Sequence, residues 1–578
     1  MVKRKNLKSL PKNVPKSFSK RAKEPEDEND FLETADDFEK TGGKWRAGDT
    51  AKSARNYKRA IEVYNEGLAR FPKSFDLAYN KSRLLYDLAD DARMSHHFDE
   101  SSNIALLRGA LVSHRYALSL DNENTDVLFN TGQVLTTLSE ALYDDDDENR
   151  ENKSEQIKLL DEAVQLFSDC LRRQEQDYEQ TQSYMQESDD QTQANDTGND
   201  NPDVSMSDQT DDPSDSTSGD WVNIVEPTKA SDIIDTSLAI LTALSALAAL
   251  HHGAASALEA IVNISTPLIH DTIPKALTLI PTSLPGPPET TGPSLSLTAT
   301  GASFKPTSTT ALNPRQDATS ESDLAIAQFI TSLSTAQFTT GILSPSTYAD
   351  TIATSFTPVY GAQSVLPTSI LAYADALTTI AQTLSTAPSY PSAALVSTRW
   401  TALKDARSAL LGARVALSNS TSSSEESRIA VLTGLADVCM LRGAMLRDIE
   451  PQSPERSLLT ADTEAAGSDA QAGIVDVQTA QATLQTRCAG VYYRDAGRVA
   501  ERCGKEYADE AMELRVKSVA AAIMAVGEVE GTAWEELRSL DIDVVQTVLK
   551  DMVDDGLVDT AFAKLASERR YAMSVDAE

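Results

Sequence analysis

RNYKRAIEVYNEGLARFP, residues Arg55 to Pro72, is the passage on which the reading of the fold turns. Its apolar and small residues recur three and four apart, which gathers them on one face of a helix instead of alternating them across a strand. Ala60, Tyr64 and Gly67 follow one another on that face as small, aromatic, small, and Pro72 closes the helix because it has no backbone N–H to continue it. Small residues let a second helix approach closely, and the aromatic ring fills the space between neighbouring pairs. The passage therefore predicts a helix packed on two sides.

Working outward, the same frame returns at IKLLDEAVQLFSDCLRR, with Ala163, Phe167 and Cys170 in the three positions, and more weakly at LLRGALVSHRYALSLDN, with Ala110, His114 and Ala117. Between these lie DLAYNKSRLLYDL (Asp76 to Leu88) and DVLFNTGQVLTTL (Asp126 to Leu138), the second with Gly132 at the point of closest approach. Together these passages resemble a tetratricopeptide (TPR) array, those with the small, aromatic, small order as second helices and the other two as first helices. The resemblance implies an all-α array of helical hairpins, an α-solenoid, whose function is to bind another protein. The spacing departs from the family's period because GDTAKSARNY and LADDARMSHHFDESS are expected as enlarged loops.

Composition divides the chain into blocks. Residues 1–30 form a basic arm, with Lys and Arg but no acid up to Lys23, before the abrupt turn to EPEDENDFLE. Residues 31–173 are the first helical array. Residues 174–220, rich in Asp, Glu, Gln, Ser and Asn and without Lys or Arg, are expected to be disordered, since they bury too little apolar surface to offset the entropy of ordering. Helices return over 221–280, capped at Thr228 or Ser231. A Pro/Ser/Thr/Gly-rich linker is expected over 281–319, and a second helical array over 320–578, where CAGVYYRDAGRVAERCG resembles a degenerate repeat hairpin. The apolar run Leu238 to Leu250 is shorter than a membrane span and reads as a core helix.

The search for chemistry returns little. The chain contains no Gly-rich phosphate loop, GxSxG elbow or HExxH pair. His96 and His97 sit together in an acidic loop without further ligands, and Cys170, Cys439, Cys488 and Cys503 show no metal or disulfide spacing. Neither catalytic residues, nor a metal, nor a cofactor is expected.

Partner class follows from charge. A formal net charge of −35 makes the body of the chain repel nucleic-acid phosphate and anionic membranes, so a basic protein is the expected partner. Lys3, Arg4 and Lys5, with Lys20, Arg21 and Lys23, are candidates for nuclear import, and the expected location is the nucleus, with the cytoplasm as a further site. The architecture is similar to that of acidic nuclear TPR chaperones, which implies an escort for a histone or a ribosomal protein. A scaffold subunit of a nuclear or cytoplasmic complex is the alternative. A co-chaperone of cytosolic heat-shock chaperones fits less well: of the carboxylate-clamp positions only Asn80 matches, while Phe38, Gly42, Asp126 and Asn130 do not.

Overall fold

The computed structural model describes residues 25–98, 103–145, 150–195, 227–251, 253–281, 314–361, 367–419, 424–449, 459, 474–504, 507–526 and 532–574. Every regular element among them is helical, so the fold is all-α. The chain divides into two compact units, residues 1–147 and 148–578.

The first unit is built from α1 (Glu28–Trp45), α2 (Thr50–Arg70), α3 (Phe75–Asp90), the single turn α4 (Ala92–Ser95), α5 (Asn103–Leu120) and α6 (Thr125–Asp145). Each early helix begins where an acceptor side chain meets the unpaired N–H groups of a first turn. Asp27 accepts from the Asp30 backbone, Asp49 from Lys52 and Ser74 from Leu77. Residues Thr50 to Ala54, expected in a loop, are instead the first turn of α2. The Asp49 cap starts the helix early, and Ser53, Ala54 and Tyr57 already belong to its buried face. Helices α1, α3 and α6 begin 47 and 50 residues apart, well beyond a compact repeat period.

Hairpin geometry rests on glycine. A Cβ at Gly42 of α1 would lie 2.8 Å from the Tyr57 ring of α2, and one at Gly67 of α2 would lie 3.0 Å from Leu77 and 3.2 Å from Phe31. The pairs 42 with 57 and 67 with 31 run in opposite directions, so α1 and α2 are antiparallel. Ser53 Oγ, fully buried, donates to the Gly42 carbonyl at 2.8 Å and closes the same contact. Around it Phe31, Ala35, Ala54, Ala60, Tyr64, Leu77, Leu84 and Leu88 form one core.

The second unit runs α7 (Arg150–Asn195), α8 (Ala230–Leu250), α9 (Ala255–Pro267), a π-helical turn (Leu268–Thr272) and α10 (Ile273–Leu279). It continues with α11 (Pro314–Thr339), α12 (Pro345–Ser355), α13 (Thr357–Gly361), α14 (Pro367–Ser385), α15 (Ala393–Asn419), α16 (Glu425–Asp448) and α17 (Ile474–Cys503). The last four are α18 (Ala508–Val526), α19 (Thr532–Ser539), α20 (Ile542–Asp554) and α21 (Thr560–Ser574). The π turn stands between Pro267 and Pro274, where two missing N–H groups break the ordinary i to i−4 ladder. Gly434 of α16 meets Leu410 of α15, Gly443 meets Thr486 of α17, and Gly490 and Gly497 of α17 approach α18. Close approach at small residues is thus the common device of both units.

Two boundaries differ from the compositional reading. Residues 174–195, assigned to the disordered acidic block, are helical as the end of α7. Glu and Gln are good helix formers, Gln174 is buried, and Glu179 pairs with Lys275 of α10 at 3.4 Å, so the segment has both propensity and a neighbour. Helix α11 begins at Pro314, inside the expected linker, because Pro is favoured in a first turn. The cap of α8 is Lys229, with Asp232 accepting from its backbone N–H, in place of Thr228 or Ser231. Residues 196–226 and 282–313 lie outside the described residues.

The apolar run Leu238 to Leu250 belongs to a 21-residue helix, long enough to cross a membrane, as is α16. More than half of the apolar window of each is buried within the unit, as in the core helices of a folded domain.

A crowded glycine and an open one should respond oppositely to the same methyl group. Gly42→Ala is expected to cost about 1–3 kcal/mol through overpacking against Tyr57, partly offset by about 1 kcal/mol of helix propensity. The penalty should vanish in a Tyr57→Ala background. Gly109→Ala on α5, where nothing lies within 4 Å, should gain about 0.5–1 kcal/mol. Denaturant unfolding of the four variants measures all of these differences.

Candidate binding surface

One face of the first unit runs across α1, α3 and α6. Three hydrogen-bonded links place these helices side by side. Arg83 of α3 donates to Glu39 of α1 at 3.1 Å; Asn130 of α6 donates to the Tyr79 hydroxyl at 2.7 Å; the Tyr86 and Thr137 hydroxyls meet at 3.0 Å. Residues 76, 79, 83, 86, 87 and 90 of α3, spaced three and four apart, therefore share one face, and so do 126, 130, 137 and 140 of α6.

Carboxylates dominate this face. Helix α1 brings Asp36 and Glu39, α3 brings Asp76, Asp87 and Asp90, and α6 brings Asp126 and Glu140. Arg83 is committed to its neighbours, pairing with Glu39 and, at 3.7 Å, with Asp87. Arg46, at the end of α1, reaches Asp91 at 2.9 Å and the Asp87 carbonyl at 3.2 Å. The guanidinium groups are thus spent internally, while Asp76, Asp90, Asp126 and Glu140 stand exposed, as does Asp36, which pairs with Lys40 one turn on.

Burial and crowding shift several protonation equilibria. Burial holds Glu39 above the usual carboxylate range, against the hydrogen bond from Tyr64 at 2.6 Å and the charge of Arg83. Burial pushes Asp87 up to about 6, outweighing Arg83 and Arg46. Tyr79 is pushed up to about 12, first by burial and then by Asp126. Tyr86 rises through burial, helped by Asp90 and Glu140. Lys81, on the same helix, is lowered by burial alone. Part of the negative potential is therefore held at Asp87, whose charge responds to pH near 6.

The residues expected from sequence to pack between helices are distributed as follows. Ala60, Tyr64 and Gly67 are buried on α2, with Pro72 exposed two residues beyond its end, and Gly132 is buried on α6. Ala163, Phe167 and Cys170 are buried on α7, in the second unit, where α8 is the principal neighbour. Tyr64 has a second role that packing alone does not reveal, since its hydroxyl donates to Glu39. Lys3, Arg4, Lys5, Lys20, Arg21 and Lys23 lie outside the described residues.

Other candidates for chemistry are quiet. His97 Nε2 is hydrogen-bonded to Thr50 Oγ1 at 2.9 Å, and no group of three or more potential metal ligands converges among the described residues. Burial pushes the Cys439 thiol up to about 11, away from the reactive thiolate. Asn80, the one match to a carboxylate clamp, donates to the Asp76 carbonyl on its own helix, and Gly42 faces Tyr57.

No family model matches the chain. Over 149 residues it is 31% identical to the UPF0656 protein C926.02 of Schizosaccharomyces pombe, a match that takes in 26% of this chain and 31% of that protein. The chain thus spans about a third of the length of the curated relative it matches. Among solved structures, a circular tandem repeat protein with novel repeat topology and enhanced subunit contact surfaces aligns over 95% of this chain and 99% of its own. Its identity is 10% and its TM-score 0.29, too low to bear on fold or function.

Asp87 makes the stability of the first unit depend on pH in a defined direction. Its folded pKa of about 6 stands above the unfolded value of 3.8, so the folded state binds the proton more tightly. The contribution is full below about pH 4 and is lost as pH rises through about 6. Asp87→Asn should therefore flatten the change in unfolding free energy between about pH 4 and 6.5, with most of its stabilising effect above about pH 6. Denaturant midpoints across that range check the sign.

Proposed function

We propose that this chain is a non-enzymatic, TPR-like protein that binds a basic protein segment on the α1, α3 and α6 face, acting as an escort or assembly chaperone for a basic nuclear protein. The observation that carries the reading is the sorting of charge on that face. Arginines are drawn into pairs with Glu39, Asp87 and Asp91, while Asp76, Asp90, Asp126 and Glu140, with Asp36 paired to Lys40 at the edge, face solvent as an acidic row. A row of this kind attracts Lys and Arg side chains and raises the rate at which they are found.

Tyr79 and Tyr86, half-buried among the carboxylates, add apolar surface with hydroxyl tips, a combination suited to the aliphatic stems and charged heads of long basic side chains. An escort of this design covers cationic segments that would otherwise seek nucleic-acid phosphate. It releases them when a polyanion with more contacts competes, because each phosphate contact adds counterion release. The acidic block beyond α7 extends the same chemistry, and the basic arm before α1 supplies the import candidates. A histone or a ribosomal protein is the expected client class.

The test is direct binding of a Lys/Arg-rich peptide by fluorescence anisotropy. Replacing Asp90, Asp126 and Glu140 with Asn, Asn and Gln should weaken binding by about tenfold or more and lower the salt dependence. Neutralising the carboxylates of residues 175–220 should do the same to a lesser degree, and binding should weaken as pH falls through about 6 and Asp87 takes up its proton. Unchanged affinity in all three experiments would favour the scaffold reading. Deleting residues 1–23 should abolish nuclear accumulation of a fluorescent fusion while leaving its helical content intact.

A further inference from the structure

The outer face of α17 is basic within a chain of net negative charge, with Asp495 and Glu501 at its edges. Leu484, Arg487, Val491, Arg494, Arg498 and Arg502 recur at helical spacing and fall on a single stripe. All six are exposed, Leu484 by 57% and Val491 by 50%. The opposite face of the helix is buried: Ala489, Tyr493, Ala496 and Ala500 point into the core that α17 shares with α16 and α18. Gly490 and Gly497 bring α18 against one flank, which locks the rotation of the helix and holds the stripe outward.

The arginines are only lightly engaged. Arg498 meets Asp495 at 3.4 Å on the exposed surface, and Arg502 Nε donates to the Arg498 carbonyl at 3.0 Å. Neither Arg487 nor Arg494 forms an ion pair among the described residues. In a chain with 87 acidic residues against 52 Lys and Arg, four exposed arginines lined up on one helix constitute a distinct surface.

We infer that this stripe is a docking surface for an acidic amphipathic helix of a partner protein. Three features favour that class. Guanidinium forks match carboxylates in bidentate geometry. Arg494, Arg498 and Arg502 rise about 6 Å apart, the spacing of carboxylates placed four residues apart on a facing helix. Leu484 and Val491 lie within the same row, and exposed aliphatic residues among arginines are the composition of a protein interface. Single-stranded nucleic acid calls for aromatic platforms on which bases stack, and the stripe offers none; Tyr492, beside it, is half-buried and faces Arg414 at 5.8 Å. The surface lies in the second unit and reads the opposite charge from the α1, α3 and α6 face, so it stands independently of the proposed client site.

The full-length chain can be tested with a synthetic 21-residue peptide bearing Glu at every fourth position and Leu on the adjoining face. A scrambled peptide of equal composition and an oligouridylate serve as competitors, with fluorescence anisotropy as the readout. The ordered peptide should bind at least tenfold more tightly than the scrambled one and than oligouridylate. Arg487→Gln with Arg494→Gln should remove at least tenfold of that affinity, and Val491→Asp alone a comparable amount, with circular dichroism unchanged. Asp90→Asn with Glu140→Gln, on the first unit, should leave it unaltered. Equal binding of the scrambled peptide, preference for oligouridylate, or no peptide binding would each overturn the inference. So would a tenfold gain on converting the aspartates of residues 196–220 to asparagine, which would assign the stripe to the chain's own acidic block.

Discussion

The contact of Gly42 with the Tyr57 ring, repeated in kind at Gly67 with Phe31 and Leu77, sets how closely α1, α2 and α3 approach one another. With α1 and α2 held that close, the Tyr64 hydroxyl on α2 reaches Glu39 on α1, and Glu39 in turn accepts from Arg83 on α3. One packing constraint thereby fixes a polar chain across three helices. A larger residue at either glycine would move Glu39 away from Tyr64 before it disturbed any exposed carboxylate, so packing and electrostatics in this unit cannot be altered separately.

That polar chain decides which charges remain available outside. A half-buried carboxylate such as Glu39 is tolerated because a phenol and a guanidinium donate to it, and removing either would leave a desolvated charge that costs more than the bond itself contributes. Arg83 is consumed in this role, as Arg46 is with Asp91. Both of these guanidinium groups are held in the foundation of the face. The acidic row of α1, α3 and α6 is thus an outcome of how the interior is satisfied as much as of how many acids the chain contains.

The all-α class was legible from periodicity alone, because three- and four-residue spacing runs through Arg55 to Pro72 and through Asp126 to Leu138 without a competing alternation. Boundaries were less so. Gly48 to Ala54 reads as a loop by its Gly, Asp and Ser content, yet it supplies the Asp49 cap and a first buried turn. The stretch 174–195 reads as disordered by charge, yet it prolongs a helix nucleated by the apolar residues before it, which removes the initiation cost that composition assumes. The acidic face was visible only as bulk charge: nothing in sequence spacing says that Glu39 meets Tyr64 and Arg83, which are 25 and 44 residues away. A signal was present in Tyr79, Arg83, Tyr86 and Asp87, polar and aromatic residues on the side of α3 that a buried repeat helix would otherwise fill with Leu and Ala.

Charge separation also bears on association between copies of the chain. An acidic face and an exposed arginine stripe in one molecule invite head-to-tail association, which for a non-closing contact leads to open chains of subunits. Two features oppose it. The stripe interleaves aliphatic residues with arginine, so full affinity requires an apolar complement, whereas the α1, α3 and α6 face offers tyrosines tied to Asn130 and Thr137 among its carboxylates. The formal net charge of −35 also sets a repulsion between copies, strongest at low salt, against surface ion pairs worth about 0–1 kcal/mol each. The same repulsion falls on any acidic partner of the stripe, so recognition there depends on the fit of Leu484 and Val491 to an apolar face, with the arginines setting its register.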